Sequence, residues 1–117
     1  MQNNIRFGLV KNKAGRFVEA SLRSVTAAAN AALKDMPEDL RFSISDAGGK
    51  DSYPISGATW AVLYVHQSSD KGKLLKDFLS WATHDGQKYC AALHYARLPE
   101  GLVKRIDKKL DQIRFEK

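Results

Sequence analysis

From Thr59 to Val65 the side chains are apolar, β-branched or aromatic without alternation. That pattern predicts a strand covered on both faces, and hence the centre of a sheet. The residues before it read differently. Pro54 fixes its own φ and biases Tyr53 towards an extended conformation, while Gly48, Gly49 and Gly57 permit turns on either side. The stretch from Asp46 to Gly57 is therefore expected to be an irregular crossing that delivers the chain into a core strand.

Upstream of this crossing, Ile5, Phe7 and Leu9 alternate with Arg6 and Gly8, which predicts a half-buried strand ending near Val10. Lys11 to Gly15 reads as a polar turn. Ser21 is placed to cap a helix in which Leu22, Val25, Ala29, Ala32, Leu33 and Met36 recur at helical spacing until Pro37 ends it. The alanines on that face imply close packing against a neighbour. Phe42 and Ile44 alternate with Arg41, Ser43 and Ser45 and predict a second short strand.

Downstream, His66 to Ser69 is expected to be a polar loop, with Asp70 capping a helix whose stripe is Leu74, Leu75, Phe78, Leu79 and Ala82, and Gly86 at its end. A shorter helix should turn Tyr89, Cys90 and Leu93 inward. Pro99 suits the first position of a last helix, with Leu102, Val103, Ile106, Leu110 and Ile113 on one face and Lys104, Arg105, Lys108 and Lys109 mostly on the other. Three strands with covering helices make an α/β fold with a small sheet and open edges. No internal repeat is visible.

With 117 residues, 44% hydrophobic and 27% charged, the chain has the composition of one soluble globular domain, and no apolar run reaches the ~20 residues of a membrane helix. The net charge of +6 admits an anionic partner, but acidic residues are interspersed with the basic ones, which argues against nucleic-acid binding. The basic face of the last helix reads as solvated surface. Cys90 has no second cysteine to pair with and sits in a helical pattern, as a small buried hydrophobe would. The start, Met1-Gln2-Asn3-Asn4, has neither the charge nor the apolar stretch of a secretion signal, so export of the chain as written is not expected.

The search for chemistry returns little. Gly49-Lys50 invites comparison with a phosphate-cradling P-loop, but Asp51 stands where Ser or Thr is required and Ile44 where the leading glycine belongs. Ser68-Ser69-Asp70-Lys71 satisfies S-x-x-K, yet its companions S-D-N and K-T-G do not occur. His66, His84 and His94 lack metal-ligand spacing, and no carboxylate pair stands out as an acid/base couple. No catalytic residue, metal ligand or cofactor is expected, and the chain does not read as an enzyme.

A resemblance carries more weight than any of these fragments. Gly49-Lys50-Asp51-Ser52-Tyr53-Pro54-Ile55-Ser56-Gly57, the Trp60 stretch, Lys71-Gly72-Lys73 opening a helix with Phe78, Trp81 and Ala82, Gly86-Gln87-Lys88-Tyr89, Leu93-His94-Tyr95-Ala96 and Leu98-Pro99 follow in order. In that order and spacing they resemble the C-terminal part of the periplasmic phosphate-binding proteins, the substrate-binding components of phosphate ABC transporters. Lys13-Ala14-Gly15-Arg16-Phe17-Val18-Glu19, with Ser21 and Ser24-Val25, is similar to the matching turn and helix. Arg97 departs from the family, which commonly has proline there.

The resemblance implies an exported, two-lobed protein of the type II-like binding class, much longer than this chain, that closes on inorganic phosphate and delivers it to a membrane permease. Residues 1–50 would then end one lobe, and 51–117 would form the return crossing and the last part of the other. The family's phosphate ligands come from earlier segments, so none is expected here. Tyr53, Pro54 and Ile55 are carried over only as hinge or cleft-wall positions. Such a piece, lacking flanking strands, is expected to form a homo-oligomer or strand-exchanged dimer. The alternative from another class is a free-standing basic module that binds nucleic acid or protein.

Overall fold

The computed structural model describes residues 6–116 and shows a small α/β arrangement of short strands and three helices. Strands β1 (Val10–Lys11) and β2 (Phe17–Val18) form an antiparallel hairpin with Val10 opposite Val18. Helix α1 (Leu22–Ala32) follows, extended by a 3₁₀ turn over Leu33–Asp35. After a long irregular passage, β3 (His66–Ser68) leads directly into α2 (Ser69–Thr83). Two 3₁₀ turns, Asp85–Tyr89 and Ala91–Leu93, connect to α3 (Glu100–Leu110), and β4 (Arg114–Glu116) returns to pair in parallel with β3.

The hairpin and α1 follow the sequence pattern closely. The polar turn closes through the Asn12 N–H donating to the Arg16 carbonyl at 2.8 Å and the Gly15 N–H donating to the Asn12 carbonyl at 2.8 Å, with Gly15 at φ +80. Ser21 caps α1 as its spacing suggests. Its hydroxyl accepts from the Ser24 N–H at 3.1 Å while the Ser24 hydroxyl accepts from the Ser21 N–H at 3.0 Å, a reciprocal box built from two serines. Replacing Ser21 by alanine is expected to lower stability by about 1 kcal/mol, read as a reduced urea midpoint at unchanged slope. Equal midpoints would show that water serves the helix start as well as the hydroxyl does.

The alanines of α1 allow close approach. Ala28 is fully buried and, with Ala29 and Ile44, forms a core to which Ala32, Phe42 and Ala47 add partial cover. A second buried group, Leu102, Leu110 and Ile113, lies on α3 and just beyond it. Arg105 ties the two regions, donating to the Met36 carbonyl at 2.7 Å and the Leu33 carbonyl at 3.0 Å. It is thus a tether, whereas its neighbours Lys104 and Lys108 remain exposed.

The start of α2 rests on the β3–β4 pair. A Cβ at Gly72 would lie 2.5 Å from the Gln67 Cβ and 3.0 Å from a Phe115 ring carbon, so this position admits only hydrogen. Lys76 on α2 meets Asp111 at 3.1 Å, and His84 beyond its end meets Asp107 of α3 at 3.4 Å.

Several expectations are overturned. Thr59 to Val65 is not a buried central strand; Val62 is 95% and Tyr64 84% exposed, and Trp60, half exposed, meets Phe42 edge-on at 5.0 Å between ring centres. Residues 6–9 and 41–45 are not strands either, and Ile5 lies outside the described residues. The reason is common to all three: an extended segment becomes a strand only when a neighbouring backbone shares its hydrogen bonds, and among the described residues that pairing is limited to the Arg114 N–H donating to the Val65 carbonyl at 2.7 Å. The strand in this region is instead His66–Ser68, which had the look of a polar loop. Ser68 rather than Asp70 occupies the cap position of α2, and Pro99 occupies the cap position of α3 rather than its first helical position, which Glu100 takes. The stripe of α2 is not core, since Leu74 and Phe78 are exposed, and Tyr89 and Leu93 point outward with them. Gly86 lies within a 3₁₀ turn past the end of α2.

The chain exposes 8684 Å², whereas a compact monomer of 13.1 kDa exposes about 6,400 Å². Its radius of gyration, 16.3 Å, likewise exceeds the roughly 13 Å of a compact domain of this length.

Candidate functional site

The passage from Asp46 to Gly57 is an irregular but densely hydrogen-bonded segment, and it holds the three positions singled out as hinge or cleft wall. Asp46 takes a left-handed φ of 49, which aspartate tolerates better than a bulky residue, and its N–H donates to the Pro54 carbonyl at 2.8 Å. Gly49 follows at φ +96. The Ser45 hydroxyl donates to the Ser56 carbonyl at 2.9 Å, and the Ser56 hydroxyl to the Tyr53 carbonyl at 2.8 Å. Ser52, 1% exposed, donates its hydroxyl to the Gly48 carbonyl. The segment therefore closes on itself as a loop fastened at both ends.

Two outside groups fix this loop to the first half of the chain. The Tyr53 N–H donates to the Ser24 carbonyl on α1 at 3.1 Å. Asn12, 5% exposed in the β-hairpin turn, directs its amide nitrogen at the carbonyls of Lys50 (3.0 Å), Ser52 (3.1 Å) and Gly49 (3.3 Å), and its amide oxygen accepts from the Arg16 N–H at 3.0 Å. One side chain thus satisfies backbone groups of two turns otherwise distant in sequence. Sequence reasoning placed Asn12 in a polar turn and missed this role. No local pattern could have revealed it, because its partners lie 37 to 40 positions away.

Of the three singled-out positions, Tyr53 and Pro54 are half-buried and serve the network through their backbones, while Ile55 is 71% exposed. Charged side chains around the loop are mixed in sign. An open groove of about 290 Å³ beside the start of α1 is lined by Arg16, Arg23 and Lys50 and also by Glu19 and Asp51. On α3, the hydrogen bond between Lys104 and Glu100 at 2.6 Å, with their mutual attraction, holds the Glu100 carboxyl below its ordinary range and the Lys104 ammonium above its own. Among the described residues no three His, Cys, Asp or Glu side chains gather as a metal site would need, and no helix is long and apolar enough to cross a membrane. What this region offers chemically is a fastened turn whose serine hydroxyls, like the Asn12 amide that ties it down, are already engaged with backbone carbonyls.

No protein-family model matches the chain. Individual proteins do. The phosphate-binding protein PstS of Xylella fastidiosa strain Temecula1 is 36% identical over 109 residues, covering 92% of this chain and 30% of that protein. The phosphate-binding protein PstS of Pasteurella multocida is 30% identical over 106 residues (90% of this chain, 31% of that protein), and that of Methanocaldococcus jannaschii 32% identical over 117 residues (89% and 30%). The chain thus spans less than a third of the length of these relatives. These sequences agree along nearly all of it, and the chain is accordingly similar to the phosphate-binding proteins PstS over a stretch equal to about 30% of their length.

Proposed function

We propose that this chain is the C-terminal portion of a binding protein that captures inorganic phosphate for an ABC-type uptake transporter, acting outside the cytoplasmic membrane and catalysing no reaction. The observation that carries the reading is the 36% identity sustained over 92% of the chain. Residues 1–50 then close one lobe of a two-lobed, type II-like protein and 51–117 the other. Tyr53, Pro54 and Ile55 lie on the return crossing, as hinge or cleft wall. The fastened ends of the 46–57 loop and the surface exposed beyond a compact domain's share both support this assignment. The partner of the whole protein is the transporter's permease.

A tight oxyanion site needs several donors converging from two walls, because a buried charge with unmatched hydrogen bonds is costly. In the 46–57 loop the serine hydroxyls and the Asn12 amide are spent on backbone carbonyls, and the nearby cations share their groove with carboxylates. The isolated chain is therefore expected to show no saturable heat on titration with inorganic phosphate, whereas the same chain joined to the preceding two thirds of a relative binds one phosphate specifically. A one-to-one, salt-resistant isotherm from the isolated chain would overturn the reading.

A further inference from the structure

We propose that Arg105 is a latch that holds the half of the chain ending at Trp60 against the half beginning at Tyr64, with residues 61–63 as the strap on which the halves swing apart when it is released. The inference rests on contacts within this chain and does not depend on the phosphate reading. Each half has buried groups of its own, Ala28, Ala29 and Ile44 in the first and Leu102, Leu110 and Ile113 in the second. The 46–57 loop goes with the first half, through Asn12 and the Ser24 carbonyl, and so does Trp60, through Phe42. On the far side Val65 is fixed to the second half, its carbonyl accepting from the Arg114 N–H. Between these anchors, among the described residues, no backbone-to-backbone hydrogen bond involves 61–63, and Val62 is 95% exposed.

Little joins the halves directly. Among the described residues no backbone-to-backbone bond and no ion pair crosses between them. The side-chain bonds that cross are that of the exposed Thr26 hydroxyl to the Arg97 carbonyl at 2.9 Å and the two that Arg105 donates, to Met36 at 2.7 Å and Leu33 at 3.0 Å. Leu33 also lies against Gly101, where α3 comes close. Bodies with separate cores and few joining bonds move relative to one another unless something clamps them. The carbonyls that Arg105 meets close the first helical segment, where partners within the helix are lacking and partial negative charge gathers. A guanidinium offers them two N–H groups in charge-assisted bonds. Without those donors the carbonyls are better served by water, and the halves must part to admit it. Three residues reach about 10 Å at most, so the parting is a swing and not a separation.

Spin labels on the full chain test this. Cys90 and Phe17→Cys report a distance across the seam, and Cys90 and Lys73→Cys a distance inside the second half. Arg105→Met, which keeps the stem and loses the donors, should lengthen and broaden the first distance and leave the second as it is. Arg105→Lys, with the charge but no fork, should give a smaller shift in the same direction. Lys108→Met, which removes the same charge from the exposed face of α3, should change neither. A cross-seam distance unmoved by Arg105→Met would overturn the proposal, because the guanidinium would then clamp nothing. Loss of both distances together would overturn it equally, because the chain would then be one cooperative unit.

Discussion

Asn12→Ala should release the 49–52 loop and cost about 2–3 kcal/mol, the largest loss expected from removing a polar group in this chain. The substitution deletes no apolar packing of consequence. Its effect comes from the groups left behind: the Lys50 and Ser52 carbonyls and the Arg16 N–H lose their partner at a point where Asn12 and Ser52 are themselves buried. Asn12→Asp distinguishes this explanation from a simple volume effect. The carboxylate has nearly the same shape but no donor, and it would face carbonyl oxygens. Burial there favours the neutral acid, so the folded-state pKa would lie above the unfolded one. Stability would then be greatest in acid and fall as pH rises through the raised value. Urea midpoints for both variants measured at acid and neutral pH would decide it. An Asn12→Asp protein as stable at neutral pH as in acid would sink the idea.

Gly72→Ala should reverse the usual sign of a glycine-to-alanine change within a helix. Helix propensity alone favours alanine by about 1 kcal/mol. Here the added methyl would lie 2.5 Å from the Gln67 Cβ, an atom held to the backbone of β3, and 3.0 Å from the Phe115 ring on β4. Neither can step aside without moving the strand pair on which α2 rests, and overpacking of that kind costs about 1–3 kcal/mol. The clash should win, giving a lower urea midpoint than the parent. Gly101→Ala provides the contrast, since its nearest atom is a terminal methyl of Leu33 at 2.8 Å, which can rotate away. If Gly72→Ala were the more stable of the two proteins, the close seating of α2 on β3 and β4 would be wrong.

What could be read from the sequence divides along physical lines. The 11–15 turn, the Ser21 cap, the end of α1 before Pro37 and the existence of α2 and α3 depend on interactions within a few residues, and they were legible. Strands are settled by partners elsewhere in the chain. Thr59–Val65 has the composition of a central strand but lies exposed, and His66–Ser68 has that of a loop but pairs with Arg114–Glu116. The stripe of α2 was correctly placed on a helix, but a stripe alone does not say what covers it. The candidate site was half legible. Tyr53 and Pro54 fall on the fastened crossing, whereas Asn12, which fastens it, gave no sign in its own neighbourhood.

The Arg105 tether has a consequence for the order in which this chain can mature during synthesis. The carbonyls of Leu33 and Met36, at the C-terminal end of the first helical segment, are met by a guanidinium 72 and 69 positions further along the chain. As the polypeptide emerges from the ribosome, Ser21 can fasten the start of α1 at once, but the other end must be served by water until α3 has been made. Helix α1 is thus a structure with an early beginning and a late finish. A ribosome that stalled before Arg105 would hold a chain whose first helix is begun and left unfastened at its far end.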